Sequence, residues 1–285
     1  MTFQQRLRVW ARKVKGGGRA VAARSVAGYF QVRRPRNPML QAHLLAQRIR
    51  EKRHVVALTG AGISTAAGIP DFRGPKGIYV TRAYPEDIFD MGAFASDPTG
   101  FYAFARDFLE LEARLEPTFA HHFLARLEQQ GRLSGVITQN IDGLHQKAGS
   151  QVVVEVHGGF ATTVCLDCEA QRPTGEIAEV VLRGEIPRCA VCGGLVKPDI
   201  VFFGESVKGM DRAVQLVRAS DLLLVIGSSL TVYPAAGLPS QAGGDVVVVG
   251  RGPVLTPAGA ARVDADIEAF FQAVDVSLGG AIADA

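Results

Sequence analysis

The sequence lacks any hydrophobic run long enough to cross a membrane. Its longest apolar stretches, such as residues 152–154 and 222–226, fall far short of the roughly 18 residues that a membrane helix needs. With 47% hydrophobic and 21% charged residues in 285 positions, the composition is that of an ordinary globular protein, which excludes a disordered chain and a coiled coil. We therefore expect a soluble protein with one large domain or two modest ones.

Acidic residues are absent from the first 50 positions, and the first one is Glu51. Those 50 positions hold 12 of the 31 Arg and Lys residues, which leaves 19 basic and 28 acidic residues in the remainder. The net charge of +3 therefore belongs to the N-terminal segment, while the body of the chain is mildly acidic. A basic protein often binds nucleic acid, but this charge distribution does not indicate a specific nucleic-acid partner.

Residues 1–38 are predicted to be a basic, disordered leader, because their Gly-rich and Pro-rich stretches are poor core material. Three interpretations stay open. The leader is a spurious extension with Met39 opening the domain, a mitochondrial transit peptide, or a tail for anionic surfaces; the single Ser in residues 1–40 departs from transit-peptide composition. We expect a cytoplasmic protein, with the mitochondrial matrix as the alternative.

After Met39, short apolar runs alternate with helix-like stretches. Predicted strands cover residues 54–59, 135–138, 152–156, 222–226 and 246–249, and predicted helices cover 101–115, 121–130 and 210–218. This alternation is typical of an α/β fold with a parallel sheet covered on both faces. Ligands in such sheets bind beyond the carboxyl ends of the strands, so the residues after each strand are the candidates for chemistry.

Cysteine is scarce, and its four copies form two pairs, Cys165/Cys168 and Cys189/Cys192. Two Cys-x-x-Cys pairs separated by 20 residues are typical of a tetrahedral zinc site. Two disulfides or two redox-active dithiols are the alternatives. Because four protein ligands leave no open position, the predicted zinc is structural, one per chain, in a small module at 159–196 inserted between the 39–158 and 197–275 parts of the sheet domain.

A Gly-x-Gly turn, Gly60 to Gly62, follows the first predicted strand. Such a turn lets the backbone approach a pyrophosphate, but alone it is a weak signal. Thr65 replaces the third glycine of the dinucleotide fingerprint, and a Gly/Pro-rich loop to Arg73 follows. We therefore expect a nucleotide site with added chemistry and not a simple hydride-transfer dehydrogenase.

Three polar residues follow the next two predicted strands. Asn140 and Asp142 come after one strand and His157 after another, so all three are expected at the same sheet edge. An Asx pair is more often a backbone cap and a lone His is more often structural. A neutral imidazole with a pKa near 6.5 is nevertheless a suitable general base at this edge.

Six motifs occur in order between about residues 40 and 270. They are residues 60–73 (GAGISTAAGIPDFR), residues 138–145 (TQNIDGLH), His157-Gly158, the two cysteine pairs, and residues 197–205 (KPDIVFFGE). Together they resemble the sirtuin family. The resemblance implies a large Rossmann-like domain with a smaller zinc-binding domain, and an NAD-dependent protein-lysine deacetylase with NAD as co-substrate.

The resemblance also assigns residues to NAD and to the reaction. NAD is expected to contact Gly60, Ala61, Gly62, Thr65, Asp71, Phe72, Arg73, Gln139, Asn140, Asp142, Gly227, Ser228 and Ser229. His157, Asn140 and Asp142 are the expected catalytic residues. The acyl-lysine carbonyl oxygen would attack ribose C1′ as nicotinamide leaves, and His157 would then act as base toward the ribose hydroxyls. The expected products are free lysine, nicotinamide and O-acetyl-ADP-ribose.

The expected partners are acetylated or otherwise acylated proteins. The resemblance implies that residues 201–205 pair with the substrate peptide by strand addition, and that Ile141, Val201 and Phe203 line an apolar lysine tunnel. Phe202 is expected to face the core. The Tyr-x-x-Arg pair of members that remove acidic acyl groups is missing from residues 101–106, which favours acetyl or longer apolar acyl groups.

Gly250 stands where most members have an Asn for the adenosine ribose, a departure that predicts reduced NAD affinity. Two other functions remain possible for the same site: mono-ADP-ribosyl transfer or NAD glycohydrolysis, and NAD sensing without turnover.

Overall fold

A computed structural model describes residues 37–69, 84–85 and 87–279. The described residues contain a six-stranded parallel sheet, in the order β3-β2-β1-β7-β8-β9, and a three-stranded antiparallel sheet, in the order β5-β4-β6. The strands are β1 (Val55–Thr59), β2 (Leu133–Thr138), β3 (Val153–Glu155), β4 (Gly158–Cys165), β5 (Gln171–Pro173), β6 (Val196–Ile200), β7 (Leu222–Ile226), β8 (Asp245–Val249) and β9 (Ala261–Val263). The predicted α/β fold with a second, smaller domain is confirmed.

Eight α-helices are present in the described part of the chain. They are α1 (Pro38–Glu51), α2 (Met91–Ser96), α3 (Thr99–Glu112), α4 (Phe119–Gln129), α5 (Leu144–Lys147), α6 (Gly175–Leu182), α7 (Met210–Ala219) and α8 (Ile267–Leu278). No helix in these ranges has the length and apolar character to cross a membrane.

The strands of the large sheet bury both faces. Val55 and Ala57 of β1 join the core formed with α1, α4 and α8, whereas Val56 and Leu58 join the core formed with α7 and residues 235–238. Because successive side chains of a strand point to opposite faces, a sheet covered on both sides needs continuous apolar strands. This requirement explains why the runs at 222–226 and 246–249 were recognisable as strands from sequence.

Local signals set the ends of the two helices that flank this core. Asn37 caps α1 by accepting a hydrogen bond from the amide of Met39 at 3.0 Å, and Pro38 takes the first helical position, where no amide is needed. Asp266 caps α8 through the amide of Ala269 at 3.1 Å. The helix then ends at Gly279, whose φ of 85° lies in the left-handed region that favours glycine.

The register of the central strands aligns their carboxyl ends. Thr59 at the end of β1 pairs with Thr138 of β2 on one side and with Ile226 of β7 on the other. The turns that follow these three strands therefore meet at one edge of the sheet, where a ligand crevice is expected.

The small sheet has its own aromatic core. Phe160 of β4 and Phe202, which follows β6, pack with Phe101, Phe104 and other aromatic side chains from α2 and α3. Helices α2 and α3 lie within the 39–158 segment that was predicted for the large domain, yet these aromatic side chains pack with the small sheet. Strands β4 and β6 also extend on both sides of the predicted 159–196 module.

Candidate active site

Two glycine turns cross at the carboxyl edge of the large sheet. Gly62, in the turn after β1, donates its amide hydrogen to the carbonyl oxygen of Gly227, after β7, at 2.9 Å. Gly60 likewise donates to the carbonyl of Ile226 at 3.0 Å. A Cβ on Gly62 would lie 2.7 Å from the Cα of Gly227, so a side chain would fill the space where the two backbones meet. The turns form a backbone cradle of the kind that accepts a pyrophosphate.

Asn140 and Asp142 are joined through the hydroxyl of Ser64. Ser64 Oγ donates to Asp142 Oδ2 at 2.7 Å and accepts from Asn140 Nδ2 at 3.1 Å. Asn140 Nδ2 also lies 3.3 Å from the carbonyl oxygen of Gly60, and Asp142 Oδ1 accepts the amide of Leu144 at 3.0 Å. All three side chains are buried, so the two residues predicted from the strand-end position are fixed to the glycine turn.

Gln139 connects the central strand ends to His157. Its amide donates to the carbonyl of Thr59 at 3.0 Å, and its Nε2 donates to Ser228 Oγ at 2.8 Å. Its carbonyl oxygen lies 3.0 Å from His157 Nδ1. A carbonyl oxygen can only accept, so Nδ1 carries the proton and Nε2 of the neutral imidazole is left as an acceptor.

Burial shifts the pKa values of both ionisable candidates toward their neutral forms. The pKa of Asp142 is raised because desolvation outweighs its hydrogen bonds from Ser64 and Leu144. Burial lowers the pKa of His157, and the hydrogen bond to the Gln139 carbonyl offsets only part of that shift. His157 is therefore neutral at pH 7, as a general base must be.

The predicted substrate residues lie on the side of the small sheet. Ile141 and Phe89 belong to the aromatic core around Phe202, and Val201 donates its amide to the carbonyl of His157 at 2.8 Å. Phe203 exposes 54% of its surface, whereas Phe202 exposes 1%, as the alternation of a strand predicts. The backbone of Phe203 is already paired, because its amide donates to the carbonyl of Phe89 at 2.7 Å and its carbonyl accepts from Met91 at 3.3 Å.

The four cysteines converge in the small domain. Their sulfur atoms all lie within 4.8 Å of one another, with Cys165 and Cys192 3.5 Å apart and Cys168 and Cys189 3.7 Å apart. Tetrahedral zinc with Zn–S bonds of about 2.3 Å needs sulfur separations of roughly 3.8 Å, and a disulfide needs about 2.05 Å.

Backbone amides of the turns support these thiolates. Those of Asp167, Val191 and Gly194 each lie 3.4 Å from a cysteine sulfur. The residues therefore fit a structural zinc, and the disulfide alternative does not fit the geometry.

The other predicted NAD contacts lie around this network or outside the described residues. Asp71, Phe72 and Arg73 lie outside the described residues. Ala61 stands in the glycine turn itself, while Thr65 bonds back to the Gly62 carbonyl at 3.0 Å and Ser229 bonds to Thr231 at 2.8 Å. Gly250 lies beside Gly227, with 3.6 Å from its would-be Cβ to the Gly227 Cα.

Ser64 and Thr59 hold the site together but were not among the predicted site residues. Ser64 lies within the recognised 60–73 motif, and its position four residues after the first turn glycine was the available signal. Thr59 ends β1, and the sequence predicts it only as a strand residue, because no local pattern shows what its side chain contacts.

The fold and this edge define an α/β protein with a nucleotide crevice beside a four-cysteine metal module. The sequence profile of the Sir2 family matches residues 60–234. This chain belongs to the Sir2 family, as the resemblance to sirtuins predicted.

Curated relatives agree with this assignment. An NAD-dependent protein deacetylase of Thermotoga maritima is 44% identical over 209 residues, covering 72% of this chain and 84% of that protein. An NAD-dependent protein deacylase of Archaeoglobus fulgidus is 41% identical over 219 residues, covering 74% of this chain and 85% of that protein.

Solved structures show the same fold. Sir2 with a p53 peptide and NAD matches with a TM-score of 0.77 at 38% identity, covering 83% of this chain and 98% of that one. Sir2 with an inhibitor, 2′-O-acetyl-ADP-ribose and a deacetylated p53 peptide matches with a TM-score of 0.75 at 37% identity, covering 84% and 99%.

Proposed function

We propose that the crevice catalyses NAD-dependent removal of acetyl groups from protein lysines. The chain is an NAD-dependent protein deacetylase. One observation carries the assignment of its machinery: the hydrogen bond from His157 Nδ1 to the carbonyl of Gln139, the residue before Asn140, which leaves Nε2 as the ring nitrogen that can take a proton. The reaction converts acetyl-lysine, NAD and one water into lysine, nicotinamide and O-acetyl-ADP-ribose.

The glycine cradle is proposed to hold the NAD pyrophosphate. Gly60, Gly62 and Gly227 bring bare backbone to the crevice, and the Ser228 hydroxyl lies beside them through its bond with Gln139. Because these three positions carry no side chain, a ligand can approach the backbone of the cradle closely. Ala61, Thr65 and Ser229 are proposed to complete the contacts to the phosphates and the adenosine ribose, and Asp71, Phe72 and Arg73 to close over the nicotinamide ribose.

Asn140 and Asp142 are proposed to orient the nicotinamide end of NAD. Loss of nicotinamide generates positive charge on the ribose, and an amide oxygen and a carboxylate held by fixed hydrogen bonds stabilise such charge without reorganising. The acyl carbonyl oxygen bonds to ribose C1′ as the bond from C1′ to nicotinamide breaks. His157 Nε2 then accepts a proton from a ribose hydroxyl, whose oxygen bonds to the acyl carbon, and the lysine amine leaves that carbon protonated. One water adds to the acyl carbon, the bond from that carbon to the C1′ oxygen breaks, and the acetyl group stays on the ribose hydroxyl oxygen.

The substrate is proposed to be an acetylated peptide segment held at residues 201–205. Ile141, Val201 and the exposed ring of Phe203 supply apolar surface for the lysine stem and an apolar acyl group. Because the Phe203 backbone is paired with Phe89 and Met91, and the Glu205 amide donates to the Phe202 carbonyl at 3.0 Å, we assign strand addition within residues 201–205 to the backbone of Gly204. A solved Sir2 structure is bound to a propionylated peptide, which supports an apolar acyl group as a substrate here.

An acyl-peptide panel tests this proposal. Wild type with NAD should release nicotinamide and free lysine from acetyl and propionyl peptides faster than from succinyl peptides. His157→Ala should lose that activity by about 10²- to 10⁴-fold, the usual contribution of a general base. His43→Ala, an exposed histidine on α1, is the matched control and should retain it. Inactive wild type, or a fully active His157→Ala variant, contradicts the proposal.

The same site also suits mono-ADP-ribosyl transfer or NAD glycohydrolysis, because each begins with loss of nicotinamide. Transfer of labelled ADP-ribose to protein, or nicotinamide release in the absence of peptide, would favour these activities. Tight NAD binding with no turnover would identify an NAD-sensing role.

Cys165, Cys168, Cys189 and Cys192 are proposed to hold one structural zinc, and the 159–196 module is proposed as the inserted domain. Thiolates that bind zinc must stay reduced, which suits a cytoplasmic location or, if residues 1–38 direct import, the mitochondrial matrix. Fusing residues 1–38 to a fluorescent protein distinguishes the two locations.

A further inference from the structure

Two histidines are buried directly behind the glycine turn, and the proposed reaction uses neither of them. His121 of α4 exposes none of its surface and His145 of α5 exposes 1%. Their ring centroids lie 4.7 Å apart. His145 follows Asp142 on the same turn of chain, so this pair is continuous with the catalytic segment.

Hydrogen bonds connect the pair to both ends of the glycine turn. His145 Nε2 lies 2.9 Å from the Thr59 hydroxyl, one residue before Gly60. His121 Nδ1 accepts the backbone amide of Thr118 at 3.2 Å and lies 2.8 Å from the Thr118 hydroxyl oxygen, which in turn lies 3.2 Å from the carbonyl oxygen of Ile63. Residues 59 and 63 bracket the turn, so the two imidazoles link its start to its end.

The donor and acceptor pattern fixes the tautomers. His121 Nδ1 receives a backbone N–H and must be unprotonated, so a neutral His121 carries its proton on Nε2. That Nε2–H and His145 Nδ1 are the ring nitrogens left without a partner among the described residues. A donor and an acceptor on adjacent rings match each other through one bridging water. The match requires His145 to be protonated on Nε2 and to donate to Thr59 Oγ1.

Thr59 connects the histidine pair to the proposed base, His157, through Gln139. Its carbonyl oxygen accepts the amide of Gln139 at 3.0 Å, and the Gln139 carbonyl is the partner of His157 Nδ1. The side chain of Thr59 therefore determines how firmly the strand end that orients His157 is held.

We propose that His145 is a positioning residue, which with His121 fixes Thr59, the glycine turn and, through Gln139, the orientation of His157. This inference rests on the proposed deacetylase function. His145 touches no reacting atom; it acts through the Thr59 hydroxyl. Burial supports the neutral state, since it lowers the pKa of His145 to about 4 and that of His121 to about 2.

Removal of the Thr59 hydroxyl tests the link with little change of volume. Thr59→Val should lower kcat/KM for NAD by about tenfold, the equivalent of one buried hydrogen bond, while KM for the acetyl peptide stays unchanged. Thr59→Ser, which keeps the hydroxyl, should recover most of the loss. Thr163→Val removes a buried hydroxyl bonded to the Arg172 carbonyl in the small sheet, and this control should not change the NAD parameters.

Imidazole nitrogen NMR on the wild-type full chain gives an independent result. Both His121 and His145 should be neutral at pH 7 with the proton on Nε2. A His145 protonated on Nδ1, or a Thr59→Val variant with wild-type kcat/KM and wild-type NAD affinity, overturns the inference. If wild type has no deacetylase activity, the proposed function fails, and the tautomers and the NAD affinity of Thr59→Val still decide the role of His145.

Discussion

Gly62 and Gly227 touch backbone to backbone, although 165 positions separate them in the sequence. The amide of Gly62 donates to the Gly227 carbonyl at 2.9 Å, and a Cβ on Gly227 would stand 2.5 Å from the Ile63 amide nitrogen. The φ of Gly227 is +66°, which any other residue would adopt with strain. The contact holds together the two turns that form the floor of the crevice.

Gly62→Ala should therefore weaken NAD binding. The new methyl group meets Gly227 backbone atoms at 2.7 and 2.8 Å, which cannot move without opening the turn. Overpacking of this kind costs about 1–3 kcal/mol, so the NAD Kd measured by calorimetry should rise about tenfold or more. Gly175→Ala, at the start of α6 where no atom lies within 4 Å, is the control and should bind NAD normally. Equal affinities in both variants would show that the cradle tolerates a side chain.

The pH dependence of catalysis should follow His157. Its pKa is lowered by burial, so the neutral base is already present at pH 6.5 and is lost only as the pH falls further. We expect kcat/KM to be flat from pH 8 down to about 6.5, the ordinary histidine pKa, and to decline below it. Initial rates in buffers of constant ionic strength measure the profile. A midpoint above the ordinary histidine pKa would contradict the assignment of His157 as the base.

Zinc removal should unfold the small domain. Elemental analysis should find about one zinc per chain, and chelation should abolish folding of the cysteine module, since metal binding to such sites is coupled to folding. Cys192→Ser should lose both zinc and deacetylase activity, whereas added zinc should restore the chelated wild type. A metal-free preparation with wild-type thermal stability would rule out the structural role.

Lys197, which is buried, and Glu205, which is partly exposed, form an ion pair whose two members should be strongly interdependent. Lys197 Nζ lies 3.0 Å from Glu205 Oε2 and 2.6 Å from the carbonyl of Ile200, and burial lowers its pKa. Glu205→Gln should lower the free energy of unfolding by about 2–3 kcal/mol, somewhat less than for a fully buried pair, because it leaves the ammonium unpaired.

A double-mutant cycle separates this pairing from general loss of packing. Lys197→Met should also destabilise, and the Lys197→Met/Glu205→Gln variant should lose much less than the sum of the single changes, as measured by urea unfolding. Additive losses would mean that the two side chains act independently.

Acid should destabilise the fold through His145 and His121. The pKa of each is lowered in the folded state, His145 to about 4, so below the unfolded-state value near 6.5 the unfolded chain binds protons that the folded chain does not. Stability should thus be full above about pH 6.5 and fall steadily as the pH drops toward 4. Repulsion from His145 and from the exposed neighbour His122 also disfavours a positive charge on His121, and this lowers its pKa further. Urea unfolding measures the contribution of His145: between these pH values the free energy of unfolding of His145→Gln should fall less steeply than that of wild type.

The parts of this molecule that repeat a local pattern were predictable from the sequence. The run from Leu222 to Ile226 is a strand with the predicted limits because all five side chains are buried, and buried parallel strands are continuously apolar. The cysteine spacing predicted a cluster because the four ligands of one metal must converge. Asn140 and Asp142 were placed correctly at the sheet edge because parallel strands end together.

What escaped prediction depends on contacts between distant residues. The bond between Thr59 and His145 spans 86 positions, and neither residue type shows its partner. The sequence of α3 has the pattern of an ordinary amphipathic helix. That pattern does not show that its aromatic side chains pack with the small sheet. Strand β9 has only three residues and lies at the sheet edge, and three residues are too few to show the alternation of side chains that identifies a strand in a sequence.

The small sheet leaves and rejoins the catalytic region at adjacent points, because Gly158 at the start of β4 pairs with Ile200 at the end of β6. The residues between Gly158 and Ile200, including the chain from Cys168 to Cys189, are connected to the catalytic region only through the neighbouring strands β4 and β6. That segment is therefore a suitable site for inserting another domain. A reporter domain whose termini lie close together, inserted into the exposed turn at Arg183–Glu185, should leave the spacing between His157 and Val201 unchanged.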